Sequence, residues 1–259
     1  MKNLWLILVA VFIVSCGPGH TPSNDQSNKA IKTWQGTING KIPVFLWFTI
    51  SKADSMVFGE LIYTNTRLRE PIYLVGHLDT ALTLGEYSRD GKSTGYWVGK
   101  IAAGKINGTW SSLKSDKQMP FELSSKDTIV NTDVADFTNT GNIDGTYSYS
   151  HPCEASGEVN IQRLGNDKLI FNVSCVTCAP AYNIAELNDD TVLIKNNRAT
   201  YTSRDENGLC SFTIRFYKQF LTIGYDCDTC SQCGFGLNAY VGGIFIKTSS
   251  KPTMGQDIH

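Results

Sequence analysis

Eight of the 259 residues are cysteines, and seven of them crowd between Cys153 and Cys233. Two C-x-x-C units stand out, Cys175-Val176-Thr177-Cys178 and Cys227-Asp228-Thr229-Cys230, accompanied by Cys153, Cys210 and Cys233. Thiols at such spacings suit three chemistries. Cys175, Cys178, Cys227 and Cys230 have the spacing of a four-thiolate zinc cage. In an oxidising compartment the same thiols are expected to form disulfides, and seven candidates leave one over if the others pair. Spacing does not say which joins which. A redox role is the third chemistry and wants the motif at a helix N-terminus, where the thiolate pKa falls; here both motifs sit among strand-forming residues. Disulfides are therefore the expectation for Cys153, Cys175, Cys178, Cys210, Cys227, Cys230 and Cys233. Zinc is the alternative, and no other cofactor is implied.

The compartment follows from the eighth cysteine. Lys2 supplies a positive charge, Leu4 to Val14 form an unbroken apolar run, and the small Ser15 precedes Cys16. That is the layout of a secretory leader, and the run is about half the length a spanning helix needs. Ile13-Val14-Ser15-Cys16 resembles the lipobox of bacterial lipoproteins. The resemblance implies cleavage before Cys16, acylation (as with palmitate) of its thiol and amine, and an envelope location. Several acyl chains anchor stably where one does not. Gly17 rather than Asp follows the cysteine, which by resemblance to lipoprotein sorting points to the outer membrane. The expected organisation is a signal peptide over 1–15, a tether rich in Gly, Pro, Ser and Asn over 16–32, a first domain over 33–125, a linker over 126–142, a cysteine-rich second domain over 143–249 and a tail over 250–259.

Catalytic groups are sparse. Of four histidines, His20 lies in the tether and His259 is the last residue; His77 stands near Asp79, and His151 near Cys153. A His151–Cys153 nucleophile pair lacks a third group to orient it. Glu60, Glu86 and Glu122 invite a paired-carboxylate reading, but isolated acids on strands belong to exteriors, and Glu86, before Tyr87, reads as a rim residue. The glycines at 234, 236, 242 and 243 stand beside strands rather than ahead of a helix, so no phosphate loop is expected. With 23 Lys and Arg against 24 Asp and Glu, there is no basic stripe for nucleic acid. The chain is expected to be non-enzymatic.

Strand signals dominate. Val44 to Ile50 is apolar on both faces, and short β-prone runs follow about every ten residues (Leu61–Tyr63, Ile72–Val75, Leu82–Leu84, Tyr96–Val98, Ile106–Trp110, Phe121–Leu123). Such spacing suggests an antiparallel sandwich or barrel, and about eight strands suffice to close a small one. Asn39-Gly40, Asp90-Gly91 and Asn107-Gly108 read as turns. The second half repeats the theme from Gly145-Thr146-Tyr147 to Tyr240–Ile246. The expected fold is all-β: two tandem small antiparallel barrels of about eight strands each, joined by the polar stretch from Ser124 to Asn142.

Trp34-x-Gly36, Gly40-Lys41-Ile42-Pro43-Val44, Gly59-x-Leu61-x-Tyr63, Pro71-Ile72-x-Leu74-x-Gly76, Leu84-x-Glu86, Thr94-Gly95 and Gly108-Thr109-Trp110 resemble bacterial domains of avidin-like or lipocalin-like shape. That implies a barrel holding a ligand. Trp47, Tyr63, Trp97 and Trp110 are the candidate binding aromatics, with core packing as the alternative use. The segment Gly208 to Phe212 with Cys233-Gly234-Phe235-Gly236 and Gly242 to Phe245 resembles the C-terminal domain of Bacteroidetes-type lipoproteins, similar in outline to lysozyme inhibitors. It implies a Cys210–Cys233 bridge; Ile244-Phe245 departs from the aspartate-glycine-tyrosine turn of that pattern. Asp54-Ser55-Met56, Asp79-Thr80-Ala81, Asp127-Thr128-Ile129 and Asp190-Thr191-Val192 resemble the O-glycosylation acceptor of such envelopes. The expected function is an envelope-anchored binding module for a small ligand or macromolecule. The alternatives are a lysozyme- or protease-inhibitor-like module and a structural zinc protein.

Overall fold

The computed structural model describes residues 31–254, apart from 68, 116, 128–135, 139, 166 and 207. No helix is present among them. The first eight strands are β1 (Lys32–Ile38), β2 (Ile42–Ile50), β3 (Met56–Tyr63), β4 (Ile72–Leu78), β5 (Leu82–Tyr87), β6 (Ser93–Ala102), β7 (Lys105–Ser112) and β8 (Gln118–Asp127). Each pairs antiparallel with the next, and β8 returns to β1 to close a barrel. Alternation sends Trp34, Leu46, Leu61, Leu74, Leu84, Trp97, Phe121 and Leu123 into one interior cluster. Trp34 stacks on Phe48 at 5.9 Å, and Trp97 meets Phe121 edge-on at 4.6 Å. Asn39-Gly40 and Asp90-Gly91 lie at turns, as their tolerance of positive φ suggests. Asn107-Gly108 does not: it lies within β7, and the turn falls at Ala103-Gly104. At Gly108 a side chain would strike Val98 O of β6, because the strands approach too closely there for a Cβ.

The second barrel is built the same way from β9 (Gly145–Ser150), β10 (Ser156–Arg163), β11 (Lys168–Val176), β12 (Ile184–Lys195), β13 (Arg198–Asp205), β14 (Gly208–Phe216), β15 (Phe220–Tyr225) and β16 (Gly243–Ser249). β16 pairs back to β9. Its interior holds Tyr147, Val159, Ile161, Phe171, Phe212, Ile214 and Phe245. The protein is thus an all-β chain of two tandem eight-stranded barrels.

A third apolar cluster belongs to neither interior. Trp47, Met56, Phe58, Tyr73 and Val75 point outward from β2, β3 and β4, yet they are buried with Phe220 and Ile246 from the outside of the second barrel. Phe58 stacks on Phe220 at 5.5 Å. Phe137, from the stretch joining the barrels, lies 5.8 Å from Phe58 and 6.1 Å from Phe220. Hydrogen bonds frame the patch: Tyr217 OH donates to Asp54 at 2.6 Å, and Ser150 N donates to Gly91 O at 3.0 Å. Burial of the Asp54 carboxyl opposes its ionisation, but hydrogen bonds from Ser51, Tyr217 and Met56 N prevail and hold it below the usual carboxylate range.

Truncating a buried Phe costs about 3–5 kcal/mol, so Phe220→Ala should uncouple the barrels. All tryptophans beyond Trp5 lie in the first barrel, with Trp47 on its docking face, so tryptophan fluorescence during urea unfolding follows that barrel and its contact with the second. The substituted protein should show separate midpoints by fluorescence and by far-ultraviolet circular dichroism. Coincident midpoints, unchanged from the parent, would contradict a shared interface core.

Candidate functional site

Two places gather chemistry. The first is inside barrel one. Leu82, Leu84 and Glu86 alternate along β5, so Glu86 faces the interior and is 1% exposed, not a rim residue. A buried carboxylate persists only if its oxygens are satisfied. Glu86 Oε1 accepts from Tyr63 OH at 2.7 Å, Trp97 Nε1 at 2.7 Å and Trp110 Nε1 at 2.9 Å, while Oε2 accepts from Thr94 Oγ1 at 2.9 Å. Gly95 makes the room: a Cβ there would fall 2.6 Å from Glu86 Oε2 and 2.7 Å from Trp110 Nε1. Burial, then the neighbouring Glu86 charge, raises the Tyr63 hydroxyl far above its ordinary value, so it remains a donor.

Three of the four candidate aromatics, Tyr63, Trp97 and Trp110, therefore converge on one acid, which the sequence reading places on the rim instead of the interior. The fourth, Trp47, faces the other way, opposite Glu60 and into the inter-barrel cluster. Glu60 meets Arg89 at 3.5 Å on the outer surface, and Glu122 is exposed on β8. The three glutamates thus form no carboxylate pair.

The second place is the end of barrel two where the seven cysteines meet. Strands reverse at every turn, so the ends of β9, β11, β13 and β15 and the starts of β10, β12, β14 and β16 share one mouth. Cys153 bonds to Cys178, Cys210 to Cys233, and Cys227 to Cys230. Cys210–Cys233 is the bridge the lipoprotein resemblance implies. In the chain-entropy picture, the two bridges spanning separations of 25 and 23 residues each constrain the unfolded chain by about 3 kcal/mol. Cys175 is the leftover thiol and is buried. The zinc alternative needed Cys175, Cys178, Cys227 and Cys230 together. Instead Cys178 and the Cys227–Cys230 pair are consumed by disulfides, and the described residues hold no group of three or more metal-binding side chains. His151 cannot activate Cys153, whose sulfur is bonded.

Beside the Cys153–Cys178 bridge lies a cavity of about 610 Å³, lined by Tyr149, His151, Cys175, Cys178, Tyr240 and Ile244 of the second barrel and Tyr87 of the first. Burial lowers the His151 imidazole below its ordinary value, so it is neutral at pH 7. Burial pushes the Cys175 thiol up to about 11, against a hydrogen bond with Tyr149 that works the other way. Cys175 is thus a protonated, weakly nucleophilic wall residue at neutral pH. The loop between β15 and β16 exposes Leu237 (78%) and Tyr240 (58%), and Ile184, the first residue of β12, is 52% exposed. Of the glycosylation-like acceptors, Thr80 and Thr191 are exposed, Ser55 is half-buried beside Asp54, and Thr128 lies outside the described residues.

Fold and site define a class: an all-β protein of two packed up-and-down barrels, one centred on a buried acid, the other opening beside disulfide-bonded loops. No protein-family model, curated protein or solved structure matches the chain.

Glu86→Ala would strand four donors and leave a void. Each unsatisfied buried group costs about 1–3 kcal/mol, so the first barrel should lose at least about 3 kcal/mol. The readout is the tryptophan-fluorescence midpoint in urea. An unchanged midpoint would show that the network does not hold the barrel together.

Proposed function

We propose that the chain is an envelope lipoprotein, anchored through acylated Cys16 in the outer membrane, that binds a small ligand without chemical turnover in the cavity at the cysteine-bearing mouth. Cys16 lies outside the described residues, so the anchor rests on the leader and lipobox alone. The observation that carries the binding reading is the cavity lined by Tyr87, Tyr149, His151, Cys175 and Tyr240. Its volume falls in the usual range for small-molecule sites, about 300–1,000 Å³. Its walls combine aromatic rings with a few polar atoms, which suits a molecule carrying an apolar body and one or two hydrogen-bonding groups. The first barrel, favoured by the avidin-like resemblance, is the weaker candidate, because Trp34, Trp97, Phe121 and the Glu86 network occupy its interior. The neutral His151 and protonated Cys175 support a binding role over a nucleophilic one.

One observation favours the inhibitor-like alternative. The loop between β15 and β16 carries two bridges and the exposed Leu237 and Tyr240, as a rigid loop pressed into an enzyme cleft would.

Two measurements test these readings. Anilinonaphthalene sulfonate should bind the mature protein at one site. Ala239→Trp, which fills the cavity, should weaken binding at least about tenfold while Trp110→Ala leaves it intact. Equal binding by all three proteins would place the dye elsewhere and sink the cavity reading. Separately, Cys16→Ser should move the protein from the membrane fraction to the soluble envelope fraction. Retention in membranes with an unacylated mass would overturn the anchor.

A further inference from the structure

The second barrel closes weakly at one place. β12 and β13 are joined only by Ile194↔Ala199 and Lys195↔Arg198, beside the left-handed turn at Asn196-Asn197. β13, by contrast, pairs with β14 along its whole length, from Arg198↔Arg215 to Asp205↔Gly208. β12 pairs with β11 from Lys168↔Leu193 to Val176↔Ile184, with a register slip at Asn188 and Asp189. Pairing with β13 ends at Ile194, and the bulge further back along β12 bends the strand. Among the described residues, the seam-side edge of β12 from Ala185 to Leu193 faces no strand; Ile184 O just before it accepts from Gly236 N at 3.0 Å, and Thr191 N is held by its own Asp190 Oδ1.

The side chains along this edge are unfinished on both faces. Toward the interior, Leu187, Val192 and Tyr201 pack on the core yet are only partly buried. Leu193, which alternation between Val192 and Ile194 turns to the outer face, is 63% exposed. On the outer face a chain of hydrogen bonds crosses four strands. Thr146 Oγ1 donates to Asn160 at 2.7 Å, Asn160 Nδ2 to Asn172 at 3.0 Å, and Asn172 Nδ2 to Asp189 at 2.6 Å. It stops at the edge on Asp189, an acceptor-only group, with Glu186 exposed further along the same strand.

We propose that this seam is a strand-addition site for an extended segment of a protein partner, which lies antiparallel along β12. The partner's main chain takes up the strand-unpaired N–H and C=O groups between Ala185 and Asp190, the usual source of affinity in such complexes. Its outward side chains are Lys or Arg, continuing the ladder beyond Asp189 and facing Glu186. Its inward side chains are small and apolar, covering Leu187 and Tyr201. A second copy of this chain is a poor occupant: two β12 edges paired antiparallel about a two-fold axis between Glu186 and Asp189 set each of these acids near the other acid of the copy, and like charges across strands repel. The seam lies outside the cavity and meets it only where β12 begins, so its test is separate.

The probe is a short capped peptide of alternating Lys and Val, set against its Glu/Val counterpart and the same Lys/Val peptide N-methylated at every second amide. Hydrogen exchange of the intact mature protein should show fast-exchanging amides within 185–191, which the Lys/Val peptide slows at least about tenfold. Asp189→Lys with Glu186→Lys should weaken peptide binding at least about tenfold with an unchanged circular dichroism spectrum. Three results would overturn the site: equal binding of the N-methylated peptide, equal binding of the Glu/Val peptide, or amides at 185–191 as protected in the free protein as those of β11.

Discussion

The patch of aromatic side chains on the outside of the first barrel is the constraint on which the rest of the structure depends. Each barrel fills its own interior, but Phe58, Tyr73 and Val75 point away from that interior and stay dry only because Phe220, Ile246 and Phe137 cover them. A fully buried side chain of this size contributes about 1.5–3 kcal/mol, so a handful bind the barrels more firmly than the few polar contacts around them. Docking also sets the site. With the faces locked, the turn after β5 rests against Ser150, and Tyr87 becomes one wall of a cavity that otherwise belongs to the second barrel. The cavity is a property of the pair.

Much of this was legible in the sequence, though not always for the right reason. Strand spacing and turn residues declare two antiparallel barrels, and they are there. Val44 to Ile50 reads as apolar on both faces. That was the signal of an exterior needing cover, but no single chain segment names what covers it. Trp47 was read as a ligand contact for the same reason: its burial comes from a domain far away in sequence. Glu86 had a local signal too. Leu82 and Leu84 place it inward by alternation, yet a carboxylate inside a barrel looks wrong until its four donors, from β3, β6 and β7, are seen to meet there.

The cysteines divide the same way. Their number, their confinement to one half and the odd one left over are all in the sequence. That they share one mouth follows from strand parity, which can be counted once the strands are known. Which thiol pairs with which does not follow, because C-x-x-C spacing serves both a local bridge, as in Cys227–Cys230, and a split, as in Cys175 and Cys178. Cys175 sits at an inward position of β11, under the core, whereas Cys178 lies past the strand end, where Cys153 can reach it.

Topology bears on how the proposed anchor and site cooperate. The chain enters β1 at Ile31, buried in the inter-barrel cluster, at the end of the first barrel that also carries the β2–β3 turn. Asp54 of that turn is held by Tyr217, which lies at the β14–β15 turn, the end of the second barrel away from its cysteines. The turn that touches the cysteine-bearing mouth, around Gly91, is at the opposite end of the first barrel. If Cys16 carries the proposed lipid, the chain leaves it toward one end of the pair, while the cavity and the bridged loops with the exposed Leu237 and Tyr240 lie at the other.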